Sequence, residues 1–447
     1  MIGYVKIMKQ INTLKDGEYL NIARLMDNAF IRKRKIDLPR LIAFILSKRG
    51  LTLKMEIDKF KELLNGEITD ISESAICQQR QKLNPEIFKE MMKTYIEDTY
   101  DKDHDYDTYK GYLVFAIDGM KIELPNVKSL QKEFGNNIGR FDQRPCAMAL
   151  TSSIYDVVNN MVIDSQIDKI NASERKLAMT NIVEMINTIG DRIDLEKTII
   201  IFDRGYPSLE LVGFLDKLGI KYLFRLSKSI FADNVKAMVA DDEITRLKIT
   251  PSRLNSIRSK EIFEILSKKE YIESRLVKYK LSTDEIEILL TNIPEKDFNT
   301  TEIGELYYER WKIELAYNIA KNKLEIQNIS GHSKLIVEQD FYAQMYLLNI
   351  AEDLRKEANK KVTAKKDNGY KYDYQVNMNI LIGKMREKLI NIIIQQVFFD
   401  AKDSDIKYQE LITEISKNIV PIRPERTNPR KPYKTRNKYR CNMRRNS

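Results

Sequence analysis

The sequence predicts an α/β protein whose core is interrupted by a mostly β insertion and flanked by helical regions at both ends. Three observations predict it. Residues 1–108 carry apolar side chains at helical spacing, and from 109 to 227 short apolar β-type runs alternate with helical stretches. Residues 228–297 then carry alternating patterns and β-branched or aromatic side chains. At 447 residues the chain has room for two or three domains and for a core that needs no disulfide or structural ion.

Within residues 1–108, the stretches 38–47 and 56–64 repeat apolar residues with helical period. Residues 71–83 predict a capped helix that ends near Asn84-Pro85, and 86–100 predict a second. Their Gln, Arg and Lys side chains are expected to be exposed, as in a small DNA-reading module, although polar helical hairpins also occur with no such role. From 111 to 118, Gly-Tyr-Leu-Val-Phe-Ala-Ile-Asp predicts an apolar strand ending in an acid. Residues 121–125, 147–157 and 161–168 predict further strands, joined by polar turns such as 156–160. Asn171-Ala-Ser-Glu174 has the form of a capping box opening a helix that runs to Ile189. The all-apolar run ending at Asp203 predicts a buried strand, 209–218 a helix stopped by Gly219, and 221–226 a strand. Antiparallel strands, helix, strand, helix, strand is the order of a ribonuclease-H-like α/β core.

Beyond it, 261–266, 271–281 and 285–291 predict strands of the insertion, with a hairpin turn at Ser282-Thr283-Asp284. One long helix is expected over 301–324, then others near 334–358 and 377–399. The expected division is a helical DNA-binding region 1–108 and a first core part 109–227. The insertion 228–297, a second core part 298–358, a helical region 359–420 and a basic tail 421–447 follow.

The formal charge of +10 sits almost entirely in that tail, where ten basic residues stand against one acid, Glu425. Prolines at 421, 424, 429 and 432 argue for a disordered arm there. Such an arm suits phosphate backbones, because each Lys or Arg releases counterions; the plainer alternative is a tail that aids solubility. Three separated cysteines (Cys77, Cys146, Cys441) exclude a disulfide framework or zinc knuckle. His104 and His332 are too few for a histidine metal site, so a metal would be held by oxygen, which favours magnesium or manganese. No apolar run approaches the roughly 20 residues of a membrane span, and the N-terminus lacks the form of a signal peptide, so the expected location is cytoplasmic.

At about 100° per residue, Tyr307, Arg310, Glu314 and Lys321 share an arc of about 60° beside an apolar stripe of Leu306, Ile313, Ala320 and Leu324. A solvated face with a local Arg310–Glu314 pair explains that pattern as well as a cleft edge does. Asp118 and Asp203 each end an apolar strand, with Gly119 directly after the first and Gly205 two residues after the second. One such aspartate is weak, because Asp favours turns for local reasons. Two of them with Glu314 form a plausible carboxylate cluster whose mutual repulsion divalent cations would relieve. Two such ions can assist both oxygens of an in-line phosphoryl displacement. Arg310 and Lys321 would face phosphates, and Tyr307 would orient one through its hydroxyl.

The spacing Tyr307-x2-Arg310-x3-Glu314-x6-Lys321 resembles the Tyr-Arg-Glu-Lys signature of DDE transposases of the insertion-sequence-four type. Phe202-Asp203-Arg204-Gly205-Tyr206 is similar to that family's second-aspartate motif, and Ala116-Ile117-Asp118-Gly119 to its first. The resemblance, over about residues 40–350, implies a ribonuclease-H-like catalytic domain with Asp118, Asp203 and Glu314 as metal-binding catalytic acids. It implies two Mg2+ ions (Mn2+ as substitute), double-stranded DNA at the terminal inverted repeats of a mobile element, and a synaptic homodimer. Trp311, the single tryptophan, has a core role or stacks on an unpaired base. The competing expectations are a transposase relic that only binds DNA, and a regulator built on the N-terminal helices and tail.

Overall fold

A single mixed sheet of nine strands organises the molecule, a computed structural model that describes residues 2–32, 35–65, 70–101, 106–137, 145–227, 229–281, 284–363 and 372–423. The expected arm beyond 423, His104 and the Ser282-Thr283 turn lie outside the described residues. The strands are β1 (Leu113–Glu123), β2 (Asn136–Asn137), β3 (Cys146–Asp156), β4 (Met161–Lys169), β5 (Thr198–Phe202), β6 (Lys221–Arg225), β7 (Asp242–Lys248), β8 (Tyr271–Lys280) and β9 (Ile286–Thr291). Their order across the sheet is β2-β3-β1-β5-β6-β9-β8-β7, with β4 also paired to β3. β1, β5 and β6 are parallel, and β3 and β4 are antiparallel beside them.

The central stretches of the three parallel strands are apolar and buried, as suits strands covered by helices. Val114 to Ile117 and Ile199 to Phe202 are all fully buried. The helix Glu174–Ile189 packs on β3 and β4, Leu209–Lys217 on β6, and Trp311–Asn322 on β1. Gly219 stops the helix Leu209–Lys217 at a φ of 72°, a left-handed turn that glycine adopts without steric cost.

Several expectations need correction. Asp118 does not end its strand, and 121–125 is no separate strand: β1 runs on to Glu123 because β3 continues to pair with it antiparallel, Asp118 facing Ser153. Residues 260–266 are a helix (Lys260–Leu266), where Ser259 accepts from the Ile262 N–H and Ile262 and Leu266 bury the same face. The inserted strands extend the core sheet: β9 pairs with β6 and carries it onward through β8 and β7. The helix at 174 is capped by Ser173, whose hydroxyl accepts from Lys176 N–H, so Asn171 and Glu174 form no capping box.

The helix expected over 301–324 is two helices, Thr300–Tyr308 and Trp311–Asn322. At the junction the Arg310, Lys312 and Ile313 N–H groups bond to the carbonyls three residues back, at 3.1–3.2 Å. That tightened turn bends the path between Tyr307 and Glu314. A capping box of Asn299 and Glu302 starts the first helix.

N-terminal helices pack against the 30-residue helix Lys334–Thr363. Gln79 and Arg80, expected on an exposed face, are buried instead. Arg80 and Lys48 both donate to Asp340 at 2.7 Å, fastening the N-terminal region to that helix. Among the described residues, no helix is long and apolar enough to cross a membrane.

Candidate active site

The parallel ladder between β1 and β5 ends at the pair Ile117 and Phe202. The next residue on each strand is the acid, so Asp118 and Asp203 leave the ladder at the same level. All five residues of β5 are buried, and pairing with β1 on one side and β6 on the other holds the strand in register. The two aspartates, 85 positions apart in the chain, are thereby side by side where the parallel pairing stops, Asp203 just past the end of β5 and Asp118 within β1.

Arg310, on the turn between the two helices, brings in Glu314. Its Nη2 donates to Glu314 Oε1 at 2.8 Å and its Nη1 to Asp118 Oδ2 at 3.4 Å. The Arg310 side chain is 7% exposed, against 22% for Asp118 and 37% for Glu314, so a buried cation stands between two half-buried carboxylates. The Tyr307 hydroxyl donates to Asp203 Oδ1 at 3.4 Å. Arg310 also lies 5.9 Å from the Tyr307 ring and 5.6 Å from the Trp311 ring. Lys321 sits farther out, its ammonium on the Lys121 carbonyl at 2.7 Å. Trp311 is 41% exposed and so takes no core position.

Electrostatics mark the same spot. Burial pushes the Asp118 carboxyl up to about 6; Arg310 and the Gly119 N–H oppose this, and the Asp203 and Glu314 charges add to it. Burial also raises the Tyr307 phenol well above its ordinary value, with Arg310 opposing and Asp203 adding. Arg310 is itself raised: burial works against its charge, but Tyr307, Asp118 and Asp203 outweigh it.

A hard divalent cation is the ligand these donors suit, because all three are carboxylate oxygens. In this conformation the guanidinium fills the space between Asp118 and Glu314. Among the described residues, no three acids, histidines or cysteines converge closely enough to hold an ion. For these three acids to hold one ion together, Arg310 would have to yield and Glu314, half-buried, to turn with it.

A family model for the transposase DDE domain matches residues 109–350, more than half of the chain and all of the site just described. The chain belongs to this family of DDE transposases. Transposase InsG for insertion sequence element IS4 of Escherichia coli (strain K12) is 22% identical over 354 residues, covering 75% of this chain and 74% of the relative. The likeness identifies the insertion-sequence-four type. A solved piggyBac transposase synaptic complex with hairpin DNA is 10% identical, covering 95% of this chain and 84% of that one at a TM-score of 0.43. The transposase is accordingly a DNA-cleaving and strand-transferring enzyme, of a family generally dependent on divalent metal.

Sequence reasoning missed three contributors to the transposase site. Tyr317, one turn beyond Glu314, donates from its hydroxyl to the Asp118 carbonyl at 2.6 Å. Helical arithmetic places it next to the polar arc, so that signal was available. Arg225, at the end of β6, pairs with Glu287 of β9 at 2.9 Å. Burial raises Glu287, Arg225 and Arg310 oppose, and the Asp203 charge adds, which locates this pair on the Asp203 side of the site. No local pattern signals a pair that depends on β6 meeting β9.

Proposed function

We propose that Asp118, Asp203 and Glu314 are the three catalytic carboxylates of the transposase and jointly hold its divalent cations. The preferred ion is Mg2+, with Mn2+ as substitute and two ions as the working number. The matched exit of Asp118 and Asp203 from the β1/β5 ladder carries this reading, since it presents both acids together where the two central strands part. The order β4-β3-β1-β5-β6, with the last three parallel, supports a ribonuclease-H-like core. Ions bound there would supply positive charge to the attacking and leaving oxygens of an in-line phosphoryl displacement.

The protein's own groups have the complementary work. Arg310 guards the acids in the free protein and, once released, offers a bidentate fork to a phosphate. Tyr307 holds Asp203 from the helix side, and Tyr317 fixes the Asp118 backbone. Lys321, at the outer rim, meets the DNA backbone as a point charge. Trp311 offers an exposed indole for stacking on an unpaired base. The substrate is double-stranded DNA at the terminal inverted repeats of an insertion sequence, brought together in a homodimeric synapse. The region 1–108 and the basic tail add DNA contacts.

Labelled element-end DNA incubated with Mg2+ tests the proposal. The parent should cut it and Glu314→Gln should bind but not cut. Equal cutting by both would sink the three-carboxylate site.

A further inference from the structure

Glu174 opens the helix Glu174–Ile189 at the edge of the same cleft. The two glycines that follow the catalytic aspartates both abut it. A Cβ at Gly119 would lie 3.4 Å from the Glu174 carboxyl carbon and from Oε1, and a Cβ at Gly205 would lie 3.8 Å from Oε2. Neither glycine has a positive φ, so the backbone does not demand glycine at either place. Both Cβ separations are ordinary van der Waals distances, so the Glu174 carboxylate rests against the backbone that follows Asp118 and the backbone that follows Asp203. Arg175, the next residue, donates to the Gly205 carbonyl at 3.2 Å and ties the helix start to the Asp203 loop.

A second observation comes from Tyr206, in the loop after Asp203. It is 1% exposed, and among the described residues its hydroxyl has no hydrogen-bond partner. Burial holds its phenol well above the ordinary value, and the charges of Asp118, Glu174 and Asp203 all act on it in the same direction. An unpartnered buried hydroxyl amid three acids is poorly placed in an empty site and well placed in one that receives a ligand oxygen. Asp118 and Glu174 also both act on the buried Tyr317 phenol, which bonds the Asp118 backbone.

Taking the three-carboxylate site as its basis, we propose that Glu174 is a fourth carboxylate of the divalent-cation cleft, contributed by the helix start that faces Gly119 and Gly205. The alternative role of such a residue is a first-turn acid that only balances the helix dipole. The two roles separate by reach: Glu174→Asp keeps the charge at the helix start but withdraws the carboxylate from the cleft.

Mn2+ titration of the full chain without DNA, followed by calorimetry, reads the site independently of cleavage. Glu174→Gln and Glu174→Asp should each weaken Mn2+ binding on the order of 10–100-fold, the range seen when groups supporting a metal site are lost. Glu174→Asp should melt at the parent temperature. Parent-like Mn2+ binding by Glu174→Gln, alongside loss in Asp203→Asn, would overturn the fourth carboxylate alone. Absence of Mn2+ binding by the parent chain would overturn it together with the three-carboxylate site.

Discussion

Arg310 and Glu314 are joined at 2.8 Å across one helical turn, and the same guanidinium reaches Asp118, so a resident cation already bridges two of the acids. In the proposed site, divalent cations and Arg310 would compete for the same carboxylates.

Arg310→Gln should make that competition visible. Without added metal the variant should lose about 1–3 kcal/mol of stability, because two partly buried carboxylates lose a charged partner. Mn2+ should then raise the melting temperature of Arg310→Gln by more than it raises the parent's. Scanning calorimetry with and without Mn2+ decides it, and an equal shift in both proteins would refute the competition.

Acid should loosen the cations' hold through Asp118. Its carboxyl is raised to about 6 in the folded protein, from 3.8 when free, so it takes up a proton as pH falls through that value. Mn2+ affinity should therefore drop as pH falls below about 6. For the metal-free protein the sign reverses: stability should be gained between pH 6 and 4, as the costly buried charge is neutralised. Titrations at several pH values should show the inflection in the parent and none near pH 6 in Asp118→Asn.

Asp340 anchors the N-terminal helices. Against the effect of burial, Arg80 and Lys48 hold its carboxyl well below the usual carboxylate range, while burial draws the Lys48 ammonium down to about 8. Asp340→Asn leaves two buried cations without their anion and should cost about 3–5 kcal/mol. Because the Asp340 value is depressed, its contribution is present above pH 4 and fades as pH falls further. Urea unfolding between pH 2 and 7 should show that acid loss in the parent and a flatter curve in the variant.

Gly304 lies where the helix Thr300–Tyr308 packs on β8. A Cβ there would come within 2.1 Å of the Tyr279 ring. Gly304→Ala should cost about 1–3 kcal/mol through overpacking, despite the better helix propensity of Ala. Adding Tyr279→Ala should return part of that loss, which a double-mutant cycle in urea would measure. Additive costs would mean that the ring and the helix do not press on one another.

Much of this was written locally. The run Thr198 to Phe202 could only be a buried strand, and its end fixed the place of Asp203. The four-residue stripe on the 301–324 segment pointed to Glu314 even though the helix is broken, since Arg310 and Glu314 remain one turn apart. Pairings between distant segments were hidden. That Asp118 lies inside β1 depends on β3 continuing past it, and Arg80's burial depends on Asp340, 260 positions away. The helix Lys260–Leu266 was mistaken for a strand because seven residues with two isoleucines and a phenylalanine suit either state. Glu174 was read as a cap because sequence distance concealed Gly119 and Gly205 from it.

The β6–β9 pairing has a consequence for how this protein can be altered. Leu223, Phe224 and Arg225 bond to Thr291, Leu290 and Leu289, so the inserted segment supplies the neighbour that seals the last parallel strand. Excising it would uncover an apolar, unsatisfied rim and invite aggregation of whole chains through that rim. The segment is a seam rather than a cassette: exchange between relatives would succeed only if the donor piece brings a strand in register with β6.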